Sequence, residues 1–183
     1  MNLLTPFRKA CAPLVALLRP VPADVMTLAA FAVGLGAVGA IAHGLYLWGA
    51  ALILASRVLD GLDGEVARAT TPTNRGAALD LILGFMLAAA LPFGFALADP
   101  PRALAAMFLI FSLASQAVAS LSLALISVRT GRGIGVTDKS AVHIAMLLAC
   151  LLPDWFSIIA YVLGVVCFIA IGVRVASIRF RTP

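Results

Sequence analysis

The sequence predicts an all-α integral membrane protein, with six transmembrane helices preceded by an N-terminal interfacial amphipathic helix. Three observations carry this prediction. Of the 183 residues, 63% are hydrophobic and only 11% are charged, against about 25% charged in an ordinary soluble domain. The apolar residues gather into six runs, most of them near the ~20 residues that cross a bilayer. The Lys and Arg side chains collect on one side of those runs. A water-soluble chain of this size needs more polar surface, so the composition excludes a soluble globular enzyme, a disordered segment and a disulfide-stapled secreted module.

Residues 1–22 stand apart from the rest. Arg8-Lys9 and Arg19-Pro20 bracket the short run Cys11–Leu18. That run is too short to span, and no small-residue cleavage site precedes the first long run. A helix lying along the cytoplasmic interface, its cations at the headgroups, is the expectation. Residues 23–183 then form one six-helix domain. Its spans are expected at Met26–Ala42, Leu45–Val66, Ala77–Ala98, Ala103–Val128, Ser140–Leu152 and Trp155–Val173. Turn chemistry separates them: His43-Gly44, Pro72-Thr73-Asn74 with a bend at Arg75-Gly76, Asp99-Pro100-Pro101, Gly131 to Gly135, and Pro153-Asp154.

Orientation follows from the cations. Eleven of the thirteen (Arg8, Lys9, Arg19, Arg68, Arg75, Arg129, Arg132, Lys139, Arg174, Arg179 and Arg181) fall on one side, Arg102 alone on the other, and Arg57 within a span. This puts both termini in the cytoplasm and supports an even number of spans. The same scatter of cations, without interleaved aromatics, excludes nucleic-acid binding despite the net charge of +5. Cys11, Cys150 and Cys167 have no paired spacing and read as space-filling residues.

Four of the eight acidic residues, Asp60, Asp63, Glu65 and Asp80, fall within twenty-one positions. Carboxylates inside membrane helices are costly, so a cluster of them points to function. At about 100° per residue, Asp60, Asp63, Gly64 and Ala67 share one helix face about 100° wide, with Arg57 at its edge. Two carboxylates thus lie beside two very small residues that leave room for a flat ring or a phosphate chain. After the turn, the next helix brings Asp80 back to a similar depth. Three carboxylates from two antiparallel helices, without His or Cys, suit Mg²⁺ or Mn²⁺ rather than Zn²⁺. Such ions bind phosphates, and a pair of them can clamp a displacement at phosphorus.

The run Asp60-Gly61-Leu62-Asp63-Gly64-Glu65-Val66-Ala67-Arg68, then seven residues to Gly76, then Asp80 resembles the signature D-x2-D-G-x2-A-R…G-x3-D-x3-D of the CDP-alcohol phosphotransferases, also called CDP-alcohol phosphatidyltransferases. Val21-Pro22-Ala23-Asp24-Val25-Met26-Thr27 is similar to the segment that leads into that family's first span. The resemblance implies a transferase of phospholipid biosynthesis in a bacterial inner membrane, with a cytoplasmic active site. It would move a substituted phosphate from a CDP-linked donor such as CDP-diacylglycerol to an alcohol, releasing CMP. It implies that Asp60, Asp63 and Asp80 bind two divalent ions, Mg²⁺ or Mn²⁺. Gly61, Gly64, Ala67 and Gly76 would shape the nucleotide cleft, with Arg68 supporting the nucleotide or the carboxylates. A homodimer embedded among membrane lipids is also implied.

One position departs from the pattern. The family's fourth carboxylate, given as the general base, falls on Gly84, one turn beyond Asp80. Three readings stand side by side. The chain is an impaired relative that binds CDP-lipid and metal as a partner or regulatory subunit; it is an enzyme using Glu65, Asp138, His143 or a metal-bound water instead; or Gly84 is an unusual substitution in an otherwise ordinary enzyme. Losing a general base typically costs about 10²–10⁴-fold, not all activity. Arg129, Arg132 and Lys139 could hold an acceptor phosphate, or serve only as cytoplasmic anchors. Ser112, Ser115, Gln116, Ser120 and Ser122 read as a small-residue packing face on the fourth span. A divalent-cation transporter using the same carboxylates is a rival class, but it needs a polar path that the outer halves of the spans do not offer.

Overall fold

The computed structural model describes residues 22–69, 74–130 and 140–176. Among the described residues there are six α-helices and no strand. They are α1 (Ala23–Ala42), α2 (Tyr46–Ala69), α3 (Asn74–Ala98), α4 (Ala103–Thr130), α5 (Ser140–Leu151) and α6 (Phe156–Ala176). Short 3₁₀ turns at Pro100–Arg102 and Pro153–Trp155 lead into α4 and α6. Proline within the first positions of each turn fits, since those N–H groups need no intrahelical partner.

Each helix lies within a few residues of the predicted run. One detail differs: Arg75-Gly76 do not bend the chain but lie in the first turn of α3. The helix starts at Asn74. The expected interfacial helix of residues 1–22 lies, apart from Pro22, outside the described residues.

Among the described residues, four helices are long and apolar enough to cross a membrane: α1, α3, α4 with its leading 3₁₀ turn, and α6 likewise. Their outward faces carry large apolar side chains such as Leu35, Met86, Phe111 and Ile169, all exposed. The protein is accordingly an integral membrane protein. The other two helices fall short of a span for different reasons. α2 is 24 residues long but ionisable side chains occupy its second half, and α5 has only 12 residues.

The helices run alternately up and down. α1 packs on α2 and α3, α3 on α4, α4 on α6, and α5 closes on α2. At the turn between α1 and α2, Gly44 takes φ +75°, a conformation that side chains disfavour. The tightest packing occurs where glycine lets backbones approach. A Cβ on Gly94 of α3 would come within 2.9 Å of the Val38 carbonyl oxygen of α1. Nearby, Phe95 stacks on Phe156, ring centroids 4.2 Å apart, and on Tyr46. Phe95 and Phe156 form a fully buried core with Ile41, Leu91, Leu109 and Met146, and the half-buried Tyr46 packs against it. That core lies towards the ends of α1 and α3 far from Asp60 and Asp80, so the acidic end of the bundle is not filled by it.

Candidate active site

The first half of α1, the second half of α2 and the first half of α3 meet at one end of the bundle. Two hydrogen bonds tie α1 to α2 there. The Ser56 hydroxyl donates to the Ala30 carbonyl at 2.8 Å, and the Thr27 hydroxyl donates to Asp63 Oδ2 at 2.6 Å. Positions 27 and 30 lie one turn apart and positions 56 and 63 two turns apart, so the two bonds also set the register of an antiparallel pair. Arg75 of α3 stands 3.7 Å from Asp24 of α1 at the exposed rim. A pair so exposed contributes little.

Between these helices lies a cleft. It is lined by the polar side chains Thr27, Ser56, Arg57, Asp60 and Asp80 and by Ala30, Phe31, Leu83 and Leu87, with Gly84 among them. Asp60 and Asp80 therefore face one space from two helices, as the spacing predicts. Asp63 lies beside it, 6% exposed and bonded to Thr27. A carboxylate so buried keeps its charge only with strong partners, and the Thr27 hydroxyl is one.

Arg57 joins two elements. Its Nη2 donates to Asp60 Oδ2, and its Nη1 lies 3.4 Å from Nε2 of His143 on α5. His143 is 2% exposed and stands behind Arg57 rather than along the cleft wall. Gly61 is half-buried, and a Cβ added to it would meet open space. Gly76 is half-buried in the first turn of α3. Gly64, Glu65, Ala67 and Arg68 continue α2, and Arg129 lies in the last turn of α4, but their side chains are outside those described. Arg132, Asp138 and Lys139 lie outside the described residues altogether.

The expected packing face of α4 holds in part: Ser112, Gln116 and Ser120 are buried, Ser115 is half-buried and Ser122 is exposed. Ser112 and Ser115 donate back to the carbonyls of Leu109 and Phe111, and Ser120 accepts from Arg174 of α6 at 3.1 Å. What the sequence does not disclose is Thr27. It is the one hydroxyl on α1, and beyond that isolation its place in the segment Val21–Thr27 is the signal it offers.

The donor types fit a hard divalent cation, since the acidic side chains of the cleft offer oxygen alone. The arrangement is open: among the described residues no group of three or more His, Cys, Asp or Glu is gathered closely enough to hold a metal ion. Asp60 is turned to Arg57 and Asp63 to Thr27.

An acidic cleft at one end of an apolar helical bundle, built on this spacing, defines a class. Residues 2–171 match the CDP-alcohol phosphatidyltransferase family, and the chain belongs to that family. Within it, the chain is similar to the inner membrane protein YnjF of Escherichia coli (strain K12). The two are 34% identical over 167 residues, covering 84% of this chain and 81% of that protein.

Proposed function

We propose that this chain transfers a substituted phosphate from a CDP-linked donor, CDP-diacylglycerol in the first instance, to an alcohol, releasing CMP. The observation that carries the reading is that Asp60 and Asp80, from antiparallel helices, line one cleft with Asp63 beside it, in a chain of this family. The cleft lining combines charged and apolar side chains, which suits a donor with a charged diphosphate and a lipid tail. Asp60, Asp63 and Asp80 are the residues that would hold two divalent ions, Mg²⁺ or Mn²⁺. When bound, such ions neutralise the diphosphate and draw charge from the leaving CMP. Gly61, Gly64, Ala67 and Gly76 leave room for the nucleotide, and Arg68 supports it. Arg129, Arg132 and Lys139 are the candidate contacts for a phosphate on the acceptor.

The topology that goes with this reading has all six helices embedded, with apolar side chains such as Leu54 and Val58 of α2 and Ile144 of α5 turned outward. The carboxylate end and both termini face the cytoplasm, where cytidine nucleotides are made, and the membrane is a bacterial inner membrane. A homodimer is proposed with it.

Gly84 supports a second reading, a partner or regulatory subunit that binds CDP-lipid and metal without turnover. Glycine at this point of the cleft wall has nothing to accept the acceptor's proton. One set of variants separates the two. Asp63→Asn and Asp80→Asn should each lower CMP release from CDP-diacylglycerol by about 10²-fold or more; unchanged release would remove the metal-site assignment. Gly84→Asp should raise the rate if a base has been lost. No turnover in either form, with CDP and Mn²⁺ still bound in calorimetry, would establish the non-catalytic role. The acceptor is found by mass spectrometry of the lipids formed from a panel of alcohols.

A further inference from the structure

We infer that Gln116 of α4 is a specificity-determining residue for the alcohol acceptor: its amide binds a hydroxyl group of that alcohol other than the one that reacts, so the acceptor is a polyol. The inference rests on the transferase reading and deepens it.

Gln116 stands between two serines on the packing face of α4 and is the long side chain of the three. It is 7% exposed, yet among the described residues its amide makes no hydrogen bond. The serines one turn away on either side are served. Ser112 donates to the Leu109 carbonyl, and Ser120 accepts from Arg174 of α6. Close approach of helices uses small residues, and glutamine is not one. A buried amide without partners is costly, so packing alone gives no reason for it. The amide carries two N–H donors and a carbonyl acceptor. A hydroxyl group, which both donates and accepts, matches that pair.

Helix geometry sets the direction of the amide. At about 100° per residue the buried positions of α4 cover an arc about 120° wide, and Gln116 lies within it, about 40° from Ser112 and from Ser120. The Ser112 edge meets α6, where a Cβ on Gly164 would stand 3.2 Å from Ser112 Oγ. α4 also packs on α3, so the middle of the arc is turned to the bundle interior. Depth agrees with this. At 1.5 Å per residue, Gln116, Asp60 and Gly84 each lie about 20 Å from the helix end opposite the carboxylates. The amide therefore points inward at the level of the cleft, where the apolar core does not fill the bundle. An alcohol whose reacting hydroxyl reaches the donor's phosphorus at that level extends its further hydroxyls into this interior.

The test compares the full-length protein in nanodiscs with Gln116→Met, which keeps the length of the side chain and removes the amide. Without ligand, the variant should melt at a higher temperature, because an unpaired buried polar group is gone. A lower melting temperature, or failure to fold, would show that the fold itself uses the amide and would overturn the inference. With CDP-diacylglycerol as donor, the acceptors offered are glycerol, glycerol 3-phosphate, myo-inositol and 1-propanol. The wild type should prefer a polyol to 1-propanol, and KM for that polyol should rise about 10–100-fold in Gln116→Met. Equal use of all four alcohols by the wild type, or an unchanged KM in the variant, would overturn the inference and leave the transferase reading intact. The donor's ribose also carries hydroxyls, so CDP affinity is read by calorimetry with Mg²⁺ in both forms. It should be equal; a loss of CDP affinity with the polyol KM held would assign Gln116 to the donor and overturn the acceptor role. If no alcohol yields CMP, the transferase reading falls, and melting with millimolar polyol decides alone. One of the three polyols should then raise the melting temperature of the wild type and not of Gln116→Met, and no difference between the two forms would overturn the inference.

Discussion

Thr27 illustrates how much a single side chain decides in this cleft. Its hydroxyl donates to a carboxylate that is 6% exposed. A hydrogen bond to a charged group is worth about 1.5–3 kcal/mol, and leaving such a group short of a donor costs at least as much. Thr27→Val keeps the shape and removes the donor. It should lower the stability of the folded protein by about 1.5–3 kcal/mol in thermal or denaturant unfolding, and reduce CMP release with it. Thr27→Ser should restore most of both. Asp60, Asp63 and Asp80 are legible in the sequence because charge is rare in the spans and helix geometry aligns it. The partners Thr27 and His143 are not, since they lie 36 residues before Asp63 and 86 residues after Arg57. Only the packing of α1 and α5 on α2 decides which depth meets which.

At the level of helices, close approach is set by glycine. Lipid tails are as apolar as leucine, so helix association in a membrane relies on packing and polar contacts. Gly94→Ala would push a methyl group to 2.9 Å from a backbone oxygen that has no rotamer to escape through. The expected cost is about 1–3 kcal/mol, seen as a lower melting temperature in detergent. Gly39→Ala is the control. A Cβ there meets nothing within 4 Å, and alanine favours a helix by about 0.5–1 kcal/mol over glycine, so stability should hold or rise. The limits of the described helices are legible because apolar runs and turn residues mark them. α2 shows where that signal weakens, since the carboxylates that make the site also lower the apolarity of the helix that carries them.

For the whole molecule, the end opposite the carboxylates has its own character. Arg102 pairs with Asp99 at 2.8 Å and with Asp154 at 3.3 Å, joining the turn after α3 to the turn before α6. Trp48 and Trp155 are exposed at the same end, the level at which a membrane interface favours aromatic rings. Aromatic rings favour both interfaces, so the proposed orientation rests on the distribution of cations, and single cysteines can test it. In a form lacking Cys11, Cys150 and Cys167, a cysteine at Pro100 should react with an impermeant thiol reagent added to cells. One at Arg75 should react only in inverted vesicles. The opposite pattern would invert the topology and move the cleft away from the cytoplasm.

The sequence alone determines the class of this protein: an apolar helical chain whose few acids are grouped by helix period and spacing. Those features are local, and a bilayer allows few ways to arrange such a chain. Tertiary structure decides what surrounds the acids. It sets Arg57 on Asp60 and against His143, turns Asp63 to Thr27, and puts Gly84 on the cleft wall with Asp80. Each of these depends on how three or four helices pack at one depth, a relation between distant segments that no local pattern encodes.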